Sequence, residues 1–448
     1  MAERARRPRR AAADPARVAA FELLRAVHEQ DAYANLVLPR ILGAHGLSGR
    51  DAALATELGY GTLRALGTLD EILGRCVDRA LAEVEPGVLD VLRIGAYQVL
   101  RTRIPPHAAV ATSVDLAHAV GHGRAGGFVN AVLRRVTARG WDEWVAELTA
   151  GADPVRVLAV RTAHPEWIVR AFEQALDGDQ DETGRALAAD DERPRTHLVA
   201  WPGRITREAL LAEAGGEPGP YSPHAVRMSG GDPAALPAVS ARRAGVQDEG
   251  SQLCARALAD APLAGRDERW LDLCAGPGGK AALLAALAAE RGARLVANER
   301  RAHRADLVRR VTEPWDVEVR VGDARELPPI DGGYDRVLVD VPCTGLGALR
   351  RRPEARWRRR PDDLADLVEL QRGLLAAALR LARPGGVVAY VTCSPHPAET
   401  TEVVRDAPLV DARPMFPGVP LLGDGPTVQL WPHRHGTDAM FCALIQPV

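Results

Sequence analysis

Strands and helices alternate regularly in the second half of this 448-residue chain. Beyond Gln247, short apolar runs of strand length are each followed by a stretch with helical character. The predicted strands cover residues 270–274, 294–298, 317–321, 335–340 and 386–392. Such alternation with short connections predicts a parallel sheet that is covered by helices on both faces. Ligands of these sheets bind beyond the carboxyl ends of the strands, where the strand order reverses.

The turn after the first of these strands has the composition of a ligand-binding loop. It reads Cys274-Ala275-Gly276-Pro277-Gly278-Gly279-Lys280 and leads into a predicted helix over residues 280–290. Glycines let the backbone approach a ligand, and the free N–H groups of a helix start favour an anionic group. Glu299 follows 23 residues after Gly276, at a distance suited to a ribose diol. Because NAD and S-adenosylmethionine both carry ribose, an NAD dehydrogenase stays an alternative at this point.

Lys280 is the single lysine among 57 lysine and arginine residues. A planar guanidinium does not replace a compact ammonium in a tight site. The position of Lys280 beside the glycine turn therefore favours a chemical role over the alternative, a lysine left behind in an arginine-rich composition.

Two cysteines and a carboxylate are predicted to share one edge of the sheet. Asp340 and Cys343 follow one predicted strand, and Cys393 follows another. Hydride transfer needs no thiol, whereas methylation of carbon 5 of a pyrimidine needs a thiolate that adds at carbon 6. A free cysteine is most often a small buried hydrophobe. The occurrence of both cysteines at strand ends, each in a turn that contains a proline, favours a chemical role instead.

Charge and cysteine usage exclude several classes of protein. The six cysteines form no C-x-x-C pair, which argues against a disulfide framework and a zinc site and indicates the reducing cytoplasm. His433 and His435 lack metal-ligand spacing and are predicted to lie at the surface. The net charge of −2 places any nucleic-acid contact in local basic patches.

Two basic patches stand out. Residues 1–12 are predicted to form a disordered basic tail. The other patch has seven arginines within the eleven residues 350–360. Guanidinium groups pair with phosphates, and aromatic rings stack on bases, so this patch predicts RNA contacts; a solvated helix face is the alternative. The predicted contact residues are Arg350, Arg351, Arg352, Arg356 and Trp357.

The first part of the chain has helical periodicity. Residues 13–145 predict helices in series, beginning with the N-cap Asp14 and a proline in the first turn. The pattern weakens over residues 146–245, which predict a small α/β connector with a strand at 196–201. Residues 246–448 predict a Rossmann-like domain.

Three stretches of the helical region resemble a known fold. The segments 48–51, 60–64 and 126–135, the last reading Gly-Gly-Phe-Val-Asn-Ala-Val-Leu-Arg-Arg, resemble the all-α RNA-binding fold of NusB. This resemblance implies an RNA-contacting module and assigns no single contact residue.

The sheet region resembles the NOL1/NOP2/Sun family of RNA cytosine-5 methyltransferases. The matching motifs occur in the family's order, and they are residues 247–252, 274–280, Glu299 with Arg304, 322–324, 340–343 and 392–394. With its NusB-like N-terminus, the chain resembles the bacterial RsmB/Sun branch, which modifies one cytosine of the 16S ribosomal RNA.

The resemblance implies a role for each matching residue. Cys393 would be the nucleophile, Cys343 would assist product release, and Asp340 would contact the ring and the cofactor. S-adenosylmethionine would be the cofactor, with Glu299 on its ribose and Asp323 on its adenine. The remaining cofactor contacts would come from residues 274–279, Lys280 and Arg304.

The same resemblance implies a monomer that binds small-subunit ribosomal RNA without a membrane or a metal. Two departures from the family pattern accompany it. Residues 199–201 lack the usual Arg-Val-Asn, and an acidic stretch after Cys393 is reduced to Glu399. The alternatives are a non-catalytic RNA-binding factor, an enzyme for another RNA such as tRNA, and a DNA-type enzyme with Cys343 as nucleophile.

Overall fold

The computed structural model describes residues 14–447, so the predicted tail at residues 1–12 lies outside the described residues. The chain divides into two compact units. The first, here the helical unit, runs to Arg170 and also contains Arg351–Arg358. The second, here the sheet unit, spans Ala171–Arg350 and resumes at Arg359. The helical unit thus extends beyond residue 145 and takes in a short segment from the second half of the chain.

The helical unit confirms the all-α prediction. Its first helix begins where expected, because the Asp14 carboxylate accepts the Ala16 N–H at 3.0 Å. Leu23, Leu63, Ile72 and Leu92 are fully buried in its core. The helices are α1 Pro15–Gln30, α2 Ala34–Ala44, α3 Gly49–Cys76, α4 Pro86–Arg101, α5 Pro106–Ala119, α6 Gly126–Val136, α7 Trp141–Leu148, α8 Pro154–Arg161 and α9 Glu166–Ala175, which crosses the boundary.

The segment Arg351–Arg358 packs into the helical unit. The Trp357 indole N–H donates to the Leu63 carbonyl at 2.8 Å. Its ring lies so close to α3 that a Cβ on Gly67 would come within 2.4 Å of it. Gly67 therefore provides the space that the indole occupies.

A small antiparallel sheet opens the sheet unit, in the order β2-β3-β1-β4. Its first strand, at His197–Ala200, confirms the strand predicted for the connector. The elements are α10 Gln180–Ala189, β1 His197–Ala200, α11 Arg207–Ala214, β2 Glu217–Pro218, β3 Ala225–Arg227, α12 Pro237–Ser240 and β4 Ala244–Val246.

The large sheet has eight strands, seven of them in the order β10-β12-β9-β8-β5-β6-β7, with β11 paired to β12. The five strands from β9 to β7 are parallel, as predicted. The elements are α13 Glu249–Asp260, β5 Arg269–Asp272, α14 Gly279–Glu290, β6 Arg294–Glu299, α15 Ala302–Thr312, β7 Glu318–Val321, β8 Tyr334–Asp340, α16 Ala355–Arg358 (within the helical unit), α17 Asp363–Leu381, β9 Ala382–Thr392, β10 Leu409–Val410, β11 Val428–Gln429, α18 Pro432–His435 and β12 Phe441–Ile445.

Apolar layers cover both faces of this sheet. Leu258 of α13 and Leu284 of α14 belong to one buried cluster, and Leu374 and Ala378 of α17 belong to another. The sheet edge beside β9 differs from the prediction, because β12 pairs antiparallel with β9 and β10 and β11 pair antiparallel with β12.

The prediction that His433 and His435 lie at the surface was wrong. His435 is 3% exposed, and its ring accepts the Trp431 N–H and contacts the Pro420 carbonyl, both at 2.8 Å. The His433 ring lies 2.6 Å from the Glu182 carboxylate. Burial lowers the pKa of both rings. Both therefore help to pack the short helix α18 into the sheet unit.

None of the helices within residues 14–447 has the length and apolar character needed to cross a membrane.

Candidate active site

The order of the strands brings the predicted site residues to one edge of the sheet. The chain proceeds from β5 through β6 to β7 on one side, and through β8 to β9 on the other. The reversal lies between β5 and β8, which is where ligands of such sheets bind. Asp340 at the end of β8 stands opposite Val391 of β9, so the loops that follow these two strands are neighbours.

The glycine turn after β5 is shaped by its contact with Glu299. The Gly276 N–H donates to Glu299 Oε2 at 3.1 Å, and a Cβ on Gly276 would lie 2.0 Å from the same oxygen. Gly278 has a φ of +116°, a conformation that side chains disfavour. Arg304 donates to the Gly276 carbonyl, and Arg301 donates its N–H to Glu299 Oε1 at 2.9 Å. These contacts hold the carboxylate and the turn together.

Buried oxygen atoms beside this turn fit an adenosyl cofactor. Asp272 is 1% exposed, and its Oδ2 has no hydrogen-bond partner among the described residues. The Oδ1 of Asn298, next to Glu299, is also buried without a partner within residues 14–447. Buried polar atoms normally have partners, and exceptions mark strain or a binding function. Beside the glycines of the turn, these buried polar groups suit the hydroxyl and amino groups of such a cofactor.

Asp323 is engaged by a neighbour. Its two oxygens accept from the Arg325 guanidinium at 3.0 and 2.7 Å. These hydrogen bonds lower the pKa of the Asp323 carboxyl to about 2. To bind an adenine edge, Asp323 would therefore have to accept a further hydrogen bond beside those from Arg325, or give up one of them.

Lys280 and Asp340 form an ion pair under the cysteine loops. The Lys280 Nζ lies 2.8 Å from Asp340 Oδ2, and the two side chains are 10% and 29% exposed. Burial by itself lowers the pKa of the Lys280 ammonium, but the Asp340 carboxylate more than offsets this, and the pKa lies above its usual value. The ammonium is thus kept charged, and it fixes Asp340.

Cys343 and Cys393 meet at the carboxyl ends of β8 and β9. Their sulfur atoms are 3.4 Å apart. The contact with Cys393, together with burial, raises the pKa of the Cys343 thiol. The sequence predicts that the two thiols share one edge of the sheet with Asp340. In the structure they lie there in direct contact with each other.

Three side chains hold the turn that carries Cys343. Glu399 accepts the Thr344 N–H at 2.8 Å, and Gln371 donates to the Pro342 carbonyl at 2.9 Å. Arg359 donates to the Thr344 carbonyl at 3.2 Å. Sequence reasoning identified Glu399 only as a remnant of an acidic stretch. Gln371 and Arg359 were missed, because a helical glutamine and one arginine in a basic run carry no distinguishing local signal.

The structure changes the interpretation of the arginine-rich run. Arg350 is buried and donates to Asp438 at 2.7 Å and Asp248 at 3.1 Å. Arg356 is fully buried and donates to three backbone carbonyls of the helical unit. The indole of Trp357 is also bonded to protein, so these three residues direct donors at acceptors within their own unit. Arg351 is half-buried, and Arg352 alone of the five predicted contact residues is exposed.

The chain is similar to known proteins along its whole length. A model for the 16S rRNA methyltransferase RsmB/F matches residues 261–446, and a model for the NusB family matches residues 14–138. A Mycobacterium tuberculosis protein that carries a methyltransferase name is 54% identical over 100% of this chain and 99% of its own length. Ribosomal RNA small subunit methyltransferase B of Cronobacter sakazakii is 34% identical over 86% of this chain and 88% of its own. The chain belongs to the RsmB/F methyltransferase family.

Solved structures show the same fold. The superposition on PH0851 includes 98% of this chain and 100% of PH0851, with a TM-score of 0.79 and 23% sequence identity. The superposition on NSun6 of Pyrococcus horikoshii, solved with SFG, includes 63% of this chain and 98% of NSun6, with a TM-score of 0.55 and 20% sequence identity. As a member of the RsmB/F family, the chain is an RNA methyltransferase with an N-terminal NusB domain, and its cofactor is S-adenosylmethionine.

Proposed function

We propose that this RsmB/F-family protein methylates carbon 5 of a cytosine in 16S ribosomal RNA through a covalent adduct with Cys393. The observation that carries the proposal is the contact between Cys343 and Cys393, 3.4 Å apart, at the strand ends where Lys280 and Asp340 also pair. The choice of 16S ribosomal RNA is supported by the family description and by the relatives named small subunit methyltransferase B.

The two thiols divide the chemistry between them. Carbon 5 of cytosine is a weak nucleophile until a thiolate adds at carbon 6, so the Cys393 sulfur forms a bond to carbon 6 and pushes electron density to carbon 5. S-adenosylmethionine supplies the methyl group that carbon 5 then takes. Cys343 next assists removal of the carbon 5 proton, and the electrons of that C–H bond restore the ring and expel the Cys393 thiolate.

Charged residues orient the base and the cofactor. Asp340, held by the Lys280 ammonium at 2.8 Å, contacts the ring and stabilises the adduct. Glu299, fixed by the Gly276 N–H, takes the ribose hydroxyls of the cofactor. A target base must leave its stack to present carbon 6 to a thiol, which favours a loop or partly unfolded RNA as substrate.

The free cysteines of the described chain agree with the reducing cytoplasm as compartment.

Separate substitutions of the two cysteines test this assignment. Cys393→Ser should abolish turnover and leave no adduct, because a hydroxyl is far less ionised than a thiol near neutral pH. Cys343→Ser should still form the adduct but fail to release it, so that a protein–RNA complex survives denaturing gel electrophoresis. Cys76→Ala, which removes a buried thiol of the helical unit, is the control and should do neither.

An exchange of the two outcomes would overturn the roles. If Cys343→Ser formed no adduct and Cys393→Ser accumulated one, the nucleophile would be Cys343, as in DNA-type enzymes. Bisulfite sequencing of ribosomal and transfer RNA from cells with and without the gene tests the substrate. Loss of one 16S cytosine signal is expected, and loss confined to transfer RNA would contradict the proposal.

A further inference from the structure

Glu399 links the loop of one cysteine to the loop of the other. It lies six residues after Cys393 and is fully buried. Its Oε1 accepts the N–H of Thr344, the residue after Cys343, at 2.8 Å, and its Oε2 accepts the Thr344 hydroxyl. The side chain of Gln371 donates to Oε1 at 3.0 Å. The carboxylate of one loop therefore binds the backbone and the side chain of the other.

Further contacts make this link rigid. The Thr344 and Ser394 hydroxyl oxygens lie 3.2 Å apart, and the Gly347 N–H donates to the Cys393 carbonyl at 2.8 Å. The Tyr390 hydroxyl donates to the backbone carbonyl of Glu399 at 2.8 Å. Each cysteine thus stands beside a residue that is bonded to the opposite loop.

The chemistry of these partners favours a carboxylate. All three donors that reach the Glu399 side chain are N–H or O–H groups, and they occupy both of its oxygens. An amide of the same shape has one acceptor oxygen, so in a glutamine the NH₂ group would face the Thr344 hydroxyl, which would then have to accept a hydrogen bond instead of donating one. A carboxylate buried without donors would be costly, whereas charge-assisted hydrogen bonds compensate for its burial.

We propose that Glu399 is a positioning residue that sets the distance between the Cys343 and Cys393 thiols. Its carboxylate oxygens bind Thr344 and Gln371, and it acts through Thr344 on the turn that carries Cys343. The consequence for methylation rests on the proposed function of the two cysteines. The geometric role does not, and it can be measured without RNA or cofactor.

Phenylarsine oxide measures the spacing of the thiols directly. Its trivalent arsenic forms a bond to each of two sulfur atoms, while the two thiol protons and the arsenical oxygen leave as water, with no change of oxidation state. Two thiols in contact should chelate it, and Cys343→Ser and Cys393→Ser should each abolish chelation. Glu399→Gln should weaken binding roughly tenfold, the loss expected for one charge-assisted hydrogen bond. Glu402→Gln, a nearby carboxylate outside the link, is the matched control and should bind as the wild type does.

Thr344 provides an independent pair of variants. Thr344→Val removes the hydroxyl at nearly constant shape and should weaken arsenical binding, whereas Thr344→Ser keeps the hydroxyl and should restore it. Circular dichroism and thermal melting identify any variant that fails to fold. A general loss of stability would leave the arsenical affinity of the folded protein unchanged, so that readout separates positioning from stability. Absence of chelation by the wild type, or wild-type affinity in Glu399→Gln and Thr344→Val, would overturn the proposal.

Methylation assays then test the consequence. Glu399→Gln should lower kcat roughly tenfold while the cofactor dissociation constant and the KM for RNA stay within about twofold. Weaker chelation with normal turnover would support the geometric role and overturn the roles given to the two cysteines. A lower kcat with normal chelation would overturn the positioning role, since Glu399 would then act by another route.

Discussion

Asp272→Asn should make the stability of the sheet unit less sensitive to pH. Asp272 ends β5 with 1% exposure, and one of its oxygens accepts the Cys274 N–H at 3.3 Å. Burial, reinforced by the negative charge of Asp340, raises the pKa of the Asp272 carboxyl from 3.8 to about 8. At neutral pH, the folded protein without ligand therefore holds a proton on this carboxyl that the unfolded chain releases.

The direction of the effect follows from this difference in bound protons. Between about pH 4 and pH 8 the folded state binds one more proton than the unfolded state, so the free energy of unfolding falls as the pH rises, by about 1.4 kcal/mol per pH unit. This loss of unfolding free energy is absent below about pH 4 and complete above about pH 8, where it reaches about 6 kcal/mol. An asparagine does not ionise, so the free energy of unfolding of Asp272→Asn should lack this fall. Between pH 5 and pH 7 it should therefore increase by about 3 kcal/mol relative to that of the wild type.

Urea unfolding at pH 5, 6, 7 and 8, followed by tryptophan fluorescence, measures the difference. Asp306→Asn, which alters an exposed pair with Arg309, is the control and should run parallel to the wild type. If the curves for Asp272→Asn and the wild type were also parallel between pH 5 and pH 7, the Asp272 carboxyl would titrate normally, and the argument from burial would be refuted.

Three further predictions concern tight contacts. Lys280→Arg should weaken S-adenosylmethionine binding in calorimetry although the charge is kept, because a longer planar group does not reproduce the 2.8 Å contact with Asp340; an unchanged dissociation constant would contradict this. Gly276→Ala should likewise weaken cofactor binding, since its Cβ would lie 2.0 Å from a Glu299 oxygen, and wild-type affinity would refute the close approach. Gly67→Ala should lower the Tm of the helical unit, and Trp357→Phe should recover part of the loss; strictly additive losses would show that the two residues do not compete for space.

The parallel part of the large sheet could be predicted because its signals are local. Each strand is a short apolar run, and the glycine turn after β5 marks the first connection. The antiparallel strand β12 was missed because α18, the α-helix between it and β9, has only four residues, whereas a longer connecting helix is what predicts a parallel neighbour. Its five residues, Phe441–Ile445, are all buried, and only pairing with β9 distinguishes them from any other apolar run.

The candidate site was predictable only as far as strand ends fix positions. The convergence of Cys343 and Cys393 followed from two loops at one edge, but their contact depends on Glu399 and Thr344. The raised pKa of Asp272 was not predictable, because the sequence does not reveal that one of its oxygens is buried without a partner.

The arginine-rich run shows why composition alone misassigns a surface. A guanidinium binds carboxylates, carbonyls and phosphates by the same geometry, so the sequence pattern is identical whichever acceptor it meets. Arg350 meets Asp438, 88 residues away, and Arg356 meets a carbonyl 292 residues away. Acceptors so distant in sequence cannot be inferred from neighbouring residues. Arg352 differs from these two arginines because its side chain is exposed. Its guanidinium lies 5.5 Å from the centre of the Tyr33 ring, which is 46% exposed. The burial of each guanidinium, rather than the number of arginines, therefore decides which part of this run can reach another molecule.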